Sequence, residues 1–198
     1  MLQCAYQALR ERENSMKVVG KIAATGMTYA NEFFGIKLTL PEGFFFYDEG
    51  QMAELNQSVG ELQTDEDIIE ALESGQAFFD MAAATTSGAT VNAVIAHAST
   101  PDMQAMDAAA YLEYAKASLG AQLSSAGAEL RDAQVRTYKN DKTGDEFVSM
   151  EVRFEMQGAP MCEELVCLKA GDYFITISAT AQDPAELNAI LQNLALVK

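Results

Sequence analysis

Apolar and polar residues alternate along much of this chain, and the alternation predicts β-strands. It is clearest over residues 146–156, EFVSMEVRFEM, where Val148, Met150 and Val152 alternate with polar or charged residues. A period of two is typical of a half-buried strand, because neighbouring side chains of a strand point to opposite faces of its sheet. Residues 34–40 have the same pattern and stop at Pro41. Further strands are predicted over residues 16–22, 76–85, 90–97, 133–139, 161–169 and 173–180.

Four segments combine a capping residue or turn with apolar positions three and four residues apart, and this pattern predicts amphipathic helices. Asp183 and Pro184 start the closing helix, whose apolar stripe runs from Leu187 to Leu194. Thr100 is the predicted N-cap of a long helix. The long helix and two short acidic helices are predicted over residues 101–126, 48–57 and 64–75.

The order of these elements predicts the fold class. Consecutive strands joined by short turns favour antiparallel pairing, and the helices are too few for an alternation of strand and helix. We therefore expect an α+β fold, with a single antiparallel sheet of about six to seven strands covered by amphipathic helices. With 198 residues, 49% of them hydrophobic, the chain is long enough to bury one core, and one domain is expected.

Charge is distributed unevenly along the chain. The formal net charge is −16, and residues 38–115 contain fourteen Asp or Glu but no Lys or Arg. Such a surface repels phosphates, so we expect no binding to nucleic acid or to anionic lipid. One hypothesis that follows is a cytosolic export adaptor or chaperone whose acidic face, residues 38–115, receives a basic client. No apolar run reaches the roughly 18 residues that span a bilayer, so we expect no membrane insertion by this chain.

Candidate catalytic residues are few. His97 is the only histidine, and a small hydrolase would have to combine it with Cys162, Cys167 or a serine as nucleophile. No GxSxG motif supports this alternative, and a structural histidine is the preferred interpretation. Glu163 and Glu164 are adjacent on a predicted strand, so their side chains should diverge to opposite faces. We found no spacing typical of a metal site and no phosphate-binding glycine loop, and expect no cofactor.

One segment carries a family resemblance. Its pattern is Tyr29-x-Asn31-x-x-Phe34-Gly35-Ile36-x-Leu38-x-Leu40-Pro41-x-Gly43-Phe44. This pattern resembles the opening of PsbP-like proteins, a group that includes DcrB-like envelope proteins. In its sequence pattern the chain most resembles uncharacterised cell-surface lipoproteins of Gram-positive bacteria that have this fold. Many relatives have Trp where this chain has Phe44.

The resemblance implies a fold, a location and a kind of function. It assigns residues 25–198 to a PsbP-like αβα sandwich and leaves residues 1–24 as an N-terminal helical and strand extension. It implies a non-catalytic binding or scaffold domain at the bacterial cell envelope, which engages a protein or peptide partner. Residues 1–15 lack the apolar core of a secretory signal, so the sequence leaves the location open. The oligomeric state is also left open.

The aromatic run Phe44-Phe45-Phe46-Tyr47 is the candidate partner-binding site. Alternation along an extended segment turns at least one of these rings away from the core. Either the predicted helix over residues 48–57 covers that ring, which we favour, or the ring belongs to an exposed patch for a partner.

Overall fold

The computed structural model describes residues 18–23, 26–56, 70, 72, 74 and 76–197. The described elements are, in chain order, β1 Lys21–Ile22, β2 Thr28–Asn31, β3 Ile36–Thr39, β4 Phe44–Phe46, α1 Glu49–Leu55, β5 Ala77–Thr85, β6 Thr90–His97, α2 Pro101–Ala105, α3 Ala108–Ser125, β7 Ala128–Lys139, β8 Glu146–Met156, β9 Ala159–Ala170, β10 Tyr173–Ala181, α4 Pro184–Leu191 and β11 Leu194–Leu196. No helix within the described ranges is both long and apolar enough to span a membrane.

The mixed α+β class is confirmed, but the strands form two antiparallel sheets. The larger sheet has seven strands in the order β4-β5-β6-β10-β9-β8-β7, and the smaller has four in the order β1-β2-β3-β11. The predicted single sheet is therefore not confirmed. The smaller sheet depends on β3 pairing with β11, with Leu38 opposite Leu194, and these segments lie at opposite ends of the chain. Local patterns cannot reveal such a distant pairing.

The larger sheet is covered on both faces. Successive residues of β10 alternate between two clusters, because Phe174 packs with the side chains of α3 whereas Ile175 packs with the smaller sheet and α4. On the first face Leu112 and Leu119 are the buried residues of α3. Clustering of these apolar surfaces is the main stabilisation of the fold, at about 25 cal/mol per Å² of apolar area removed from water. The order of layers is α3, the seven-stranded sheet, and then the small sheet beside α4.

Several predicted strands are confirmed, and two helical predictions are wrong. The hairpin of β5 and β6 and the strand β8 lie where alternation predicts them. The predicted long helix is two helices, because Met106 is extended and Asp107 caps α3 by accepting a hydrogen bond from the Ala110 amide at 2.8 Å. The closing helix ends at Leu191, so Leu194 is a strand residue.

The remaining helical predictions and the domain boundaries have different outcomes. The first short acidic helix is confirmed as α1, with Asp48 and Gln51 forming a capping box. The predicted helix over residues 64–75 lies outside the described residues, apart from positions 70, 72 and 74. The division into residues 1–24 and 25–198 stays a prediction.

Candidate functional site

A cleft of about 530 Å³ opens between α4 and the strands β7, β8 and β9. Its volume lies within the range of sites that bind small molecules or short peptide segments. We call it the α4 cleft. One wall is formed by the charged face of the three strands and the other by α4. Residues that line it include Arg136, Glu151, Arg153, Cys162, Glu164, Pro184, Leu187 and Asn188.

The helical wall is positioned by its cap and by its apolar face. Asp183 accepts a hydrogen bond from the Ala185 amide at 2.8 Å, and Pro184 occupies the first turn, where no amide donor is needed. Ile190 and Leu191 are fully buried against the larger sheet, and this contact anchors the helix. Leu187, which is 9% exposed, lies at the apolar side of the cleft.

The strand wall is built around a buried ion pair. Glu164 on β9 has a side chain that is 0% exposed, and its two oxygens accept hydrogen bonds from Arg136 on β7. The distances are 2.5 Å from Nη2 and 3.2 Å from Nε, which is a bidentate arrangement. The hydrogen bond to Glu164 raises the pKa of Arg136. The guanidinium therefore supplies the positive charge that lets a carboxylate remain in this interior position.

A second carboxylate joins Arg136 to the rim of the cleft. The Glu151 carboxylate on β8 forms ion pairs with Arg136, at 2.7 Å from Nη1, and with Arg153, at 2.9 Å from Nη2. The side chain of Arg153 is 67% exposed, so its guanidinium is available to a ligand at the cleft mouth. A further rim pair joins Arg131 to Glu155 at 2.8 Å, and the hydrogen bond from Arg131 lowers the pKa of Glu155. These charged groups neutralise one another in a network, in which Arg136 and Glu151 each have two partners.

The cleft also contains a thiol. Cys162 donates a hydrogen bond from Sγ to the Ala181 carbonyl at 3.1 Å. Burial, followed by the charge of Asp183, raises the pKa of Cys162. A thiol with a raised pKa is protonated at neutral pH, and the thiolate is the nucleophilic form. This position therefore favours a packed thiol over a reactive one.

Neither cysteine of the hydrolase alternative is brought to His97. Cys167 lies on the opposite face of the larger sheet, where burial raises its pKa to about 12. Cys162 shares the face of His97, but it pairs with Ala181 at the far end of β10, whereas His97 pairs with Tyr173. Eight residues of strand separate these levels, or about 26 Å.

His97 occupies a packed position at the end of β6. Its ring contacts the Tyr173 ring, with 4.9 Å between the centroids. Its Nδ1 is buried and has no hydrogen-bond partner among the described residues. In the part of the chain that the structure describes, we found no third residue that orients this imidazole toward a nucleophile, so the hydrolase hypothesis gains no support from the geometry.

The two adjacent glutamates diverge, as strand alternation predicts. Glu164 faces the α4 cleft, whereas the Glu163 carboxylate accepts a hydrogen bond from the Ser178 hydroxyl on the neighbouring strand. Burial raises the pKa of Glu163. An acid and base pair formed by these two side chains is excluded by their directions. Within the described ranges, no group of three or more His, Cys, Asp or Glu side chains is placed to hold a metal ion.

The aromatic run divides between the core and the surface. Phe44 is buried and Phe46 packs against the same core cluster. Phe45 points the other way and is 47% exposed, while Tyr47 is half-buried and bonds through its amide to the Ala82 carbonyl at 2.9 Å. A partner-binding role for Phe44, Phe45, Phe46 and Tyr47 stays a prediction, and Phe45 is the member that a partner could contact most fully.

The sequence contained the residues of the α4 cleft but not their arrangement. Alternation in β8 placed Glu151 and Arg153 on one face, which is the signal that could have pointed to a charged wall. Arg136 and Glu164 are 28 residues apart in sequence and meet across β8, so only the register of three strands reveals their pairing.

The chain was compared with protein families, curated proteins and solved structures. No protein-family model matches the chain, and no curated protein matches it. Among solved structures, a crystal structure of a protein from Bacteroides thetaiotaomicron VPI-5482 is similar over 87% of this chain and 49% of that protein. The sequence identity is 9% and the TM-score is 0.38. The chain thus spans about half the length of that protein.

Proposed function

We propose that this chain is a non-catalytic binding domain that engages a protein or peptide partner through the α4 cleft. The observation that carries the proposal is the pairing of charges in the cleft. Arg136, Glu151 and Glu164 are bound to one another, and the thiol of Cys162 has a raised pKa. Groups that are neutralised in this way suit recognition, whereas acid–base or nucleophilic catalysis needs a group that is free to exchange a proton or attack.

The walls define the chemistry of the partner segment. Arg153 and Arg131 have side chains that are 67% and 47% exposed, and both line the cleft. Arg153 donates from Nε and Nη2 to Glu151, and Arg131 donates from Nη1 and Nη2 to Glu129 and Glu155, so a carboxylate of the partner would meet the remaining donors of these guanidinium groups. Leu187, Pro160 and Pro184 supply apolar surface beside them. We therefore expect a segment with an acidic side chain close to apolar side chains.

Location at the bacterial cell envelope is a part of the proposal that rests on the resemblance of residues 29–44 to PsbP-like proteins. The finer assignment to a PsbP-like αβα sandwich rests on the same residues. Fractionation of cells that carry the native gene tests the location. Recovery of all the protein in the cytosol would contradict it.

The binding proposal is tested with a random peptide library displayed on phage and selected on the full chain. We expect enriched peptides that combine Asp or Glu with apolar residues. Their affinity should fall at least tenfold for Arg153→Glu, because the charge at the cleft mouth is reversed. Lys116→Glu is the matched control, since it makes the same charge change on α3, on the other face of the larger sheet. Its affinity should stay within twofold of the unaltered chain.

Two outcomes would overturn the proposal. One is that enriched peptides bind Arg153→Glu and the unaltered chain equally well. The other is an activity that broad substrate screening detects and that His97→Ala abolishes, which would favour the hydrolase alternative. The hypothesis of an export adaptor with an acidic client-binding face has no specific contact to support it and stays a prediction.

A further inference from the structure

A second cavity, of about 640 Å³, lies on the small-sheet side of β5, between α1 and strands β1 and β2. We call it the Asp80 cavity. Its wall combines apolar side chains with two acidic residues, the half-buried Asp80 and the exposed Glu49 at the start of α1. The lining residues used below are Ile22, Met52, Ala53, Phe78, Phe79 and Asp80.

The backbone around Asp80 is built to place this carboxylate. The register between β5 and β6 shifts between Phe79 and Met81, so Asp80 sits at an irregularity of the strand. Such bulges redirect a side chain and are frequent beside binding sites. Asn56, the C-cap of α1, bonds both backbone groups of Phe79, at 2.9 Å and 3.0 Å. That contact fixes α1 as one side of the cavity.

The two oxygens of Asp80 have very different surroundings. Oδ2 accepts hydrogen bonds from the Tyr29 hydroxyl at 2.5 Å, the Gly20 amide at 2.8 Å and Asn31 Nδ2 at 3.3 Å. Oδ1 is buried and has no hydrogen-bond partner among the described residues. An unpaired buried acceptor is destabilising, so a binding partner for Oδ1 would be stabilising.

The negative charge of the Asp80 carboxylate is a second reason to expect a bound partner. Asp80 is half-buried, and burial raises its pKa despite the three hydrogen bonds. In the described part of the chain no cation pairs with it, and residues 38–115, which supply α1 and β5, contain no Lys or Arg. A positive group placed beside the carboxylate would favour its charged form. The net charge of −16 also concentrates cations near the protein.

We propose that the Asp80 cavity binds a small organic cation, in which a primary ammonium group donates to Asp80 Oδ1 and an apolar body fills the rest of the cavity. The apolar walls of Ile22, Phe78 and Phe79 suit an aliphatic or aromatic body. Oδ1 has no exposed surface, so binding requires a lining side chain to move, and the unbranched, flexible side chain of Met52 is one that can.

A small organic cation fits the Asp80 cavity better than a metal ion or a single water molecule does. A metal ion needs several oxygen, nitrogen or sulfur ligands, and in the described ranges no cluster of three such acidic, histidine or cysteine side chains exists. A single ordered water would fill only a small part of a cavity of about 640 Å³. The site is separate from the α4 cleft, so the proposal goes beyond the proposed function.

The experiment compares benzylammonium with benzyl alcohol by calorimetric titration of the full chain. The two probes share their apolar body and differ in the charged donor. We expect benzylammonium to bind at least tenfold more tightly. Its affinity should fall at least tenfold for Asp80→Asn, and stay within twofold for Asp102→Asn, which removes an exposed carboxylate from α2. Arg153→Glu should also leave it unchanged, which separates this site from the α4 cleft.

A second variant keeps the proposal testable if Asp80→Asn does not fold. Ala53 on α1 is exposed and lines the cavity, so the larger side chain of Ala53→Phe should occupy part of the cavity. Ala53 takes no part in the hydrogen bonds to Asp80, so these should remain. We expect it to reduce benzylammonium affinity at least tenfold. Equal affinity for amine and alcohol, binding unchanged in Ala53→Phe, or a crystal structure with benzylammonium that has only a water at Oδ1 would each overturn the proposal.

Discussion

Two carboxylates on one side of the seven-stranded sheet are kept in the interior by opposite means. Glu164 in the α4 cleft has both oxygens bound by the guanidinium of Arg136. Among the described residues, Asp80 is held by the neutral donors of Tyr29, Gly20 and Asn31, all of them on one oxygen. The first charge is compensated within the chain, whereas the second is left short of a cation and of one donor.

This difference separates two kinds of site. A buried charge with a bidentate partner is complete, and what the α4 cleft offers to a ligand is the exposed outer part of its arginines. A buried carboxylate with a free acceptor is incomplete, and a ligand can complete it. Desolvation is the largest cost of burying a charge, and it is offset by a guanidinium at Glu164 but by neutral donors at Asp80. Removing these partners should therefore change the free energy of unfolding by different amounts at the two sites.

The largest effect is expected for Arg136→Met. The variant leaves the Glu164 carboxylate buried without its partner, and breaking a buried pair costs roughly 3–5 kcal/mol. Arg136 is 45% exposed, so water partly replaces it and we expect a loss of about 2–3 kcal/mol in the free energy of unfolding, measured by urea denaturation. Arg131→Met, which removes an exposed pair of the same type, is the control. Equal losses in both variants would contradict the comparison.

The next effect is expected for Gly20→Ala, which disturbs the donors around Asp80. A Cβ at position 20 would lie 2.5 Å from the ring of Tyr29, so the ring or the backbone must move. Overpacking of this kind costs about 1–3 kcal/mol. We expect a loss of about 2 kcal/mol in urea denaturation and weaker benzylammonium binding. Gly50→Ala on α1, where the new Cβ would meet only the Asp48 carboxylate at 3.3 Å, is the matched control.

A smaller effect is expected in the pH dependence of Asp80→Asn. The folded chain raises the pKa of Asp80 above its unfolded value of about 3.9, so the folded state holds this proton more strongly. The stability that this group adds is full below about pH 4 and is lost as the pH rises through the folded pKa, with a slope of at most about 1.4 kcal/mol per pH unit. Asp80→Asn lacks this component.

The measurement is the free energy of unfolding of both proteins from pH 4 to pH 8. We expect the stability of the unaltered chain, relative to Asp80→Asn, to decline as the pH rises. Saturating benzylammonium should reduce the decline, because a bound cation favours the charged carboxylate. A relative stability that rises with pH would show that Asp80 has a lowered pKa in the folded chain.

The fold was predictable wherever its causes are local. Alternation found the hairpin of β5 and β6 and the strand β8, because a two-residue period depends only on neighbouring side chains. The shared face of Met52 and Leu55 found α1, and capping chemistry found the start of α4, for the same reason. Leu194 was placed in a helix, because its spacing from Leu187 fits a helix as well as a strand. Its pairing with Leu38 decides between them, and that contact joins the two ends of the chain.

The candidate sites were less predictable than the fold. Tyr29 and Asn31 were noticed as part of a family-like pattern, yet their contact with Asp80 joins segments about 50 residues apart. One local signal was present, since Asp80 interrupts the apolar strand AFFDMAAAT. A charged residue inside such a strand needs a partner, but its identity depends on how the small sheet packs on β5. Arg136 and Glu164 were missed because their contact crosses an intervening strand.

The smallest effect is expected for Glu151→Gln, which tests whether the inner carboxylate of the α4 cleft dominates the outer one. Glu151 has a side chain that is 26% exposed, and it binds Arg136 and Arg153 at the rim. Such partly hydrated pairs contribute about 0.5–1 kcal/mol, so urea denaturation should reveal only a slight loss. The variant removes the negative charge that pairs with Arg153. Peptides with an acidic residue should therefore bind two- to fivefold more tightly. A loss as large as that of Arg136→Met would mean that the outer glutamate is an equal partner, and the contrast between a complete and an incomplete buried carboxylate would then need to include Glu151.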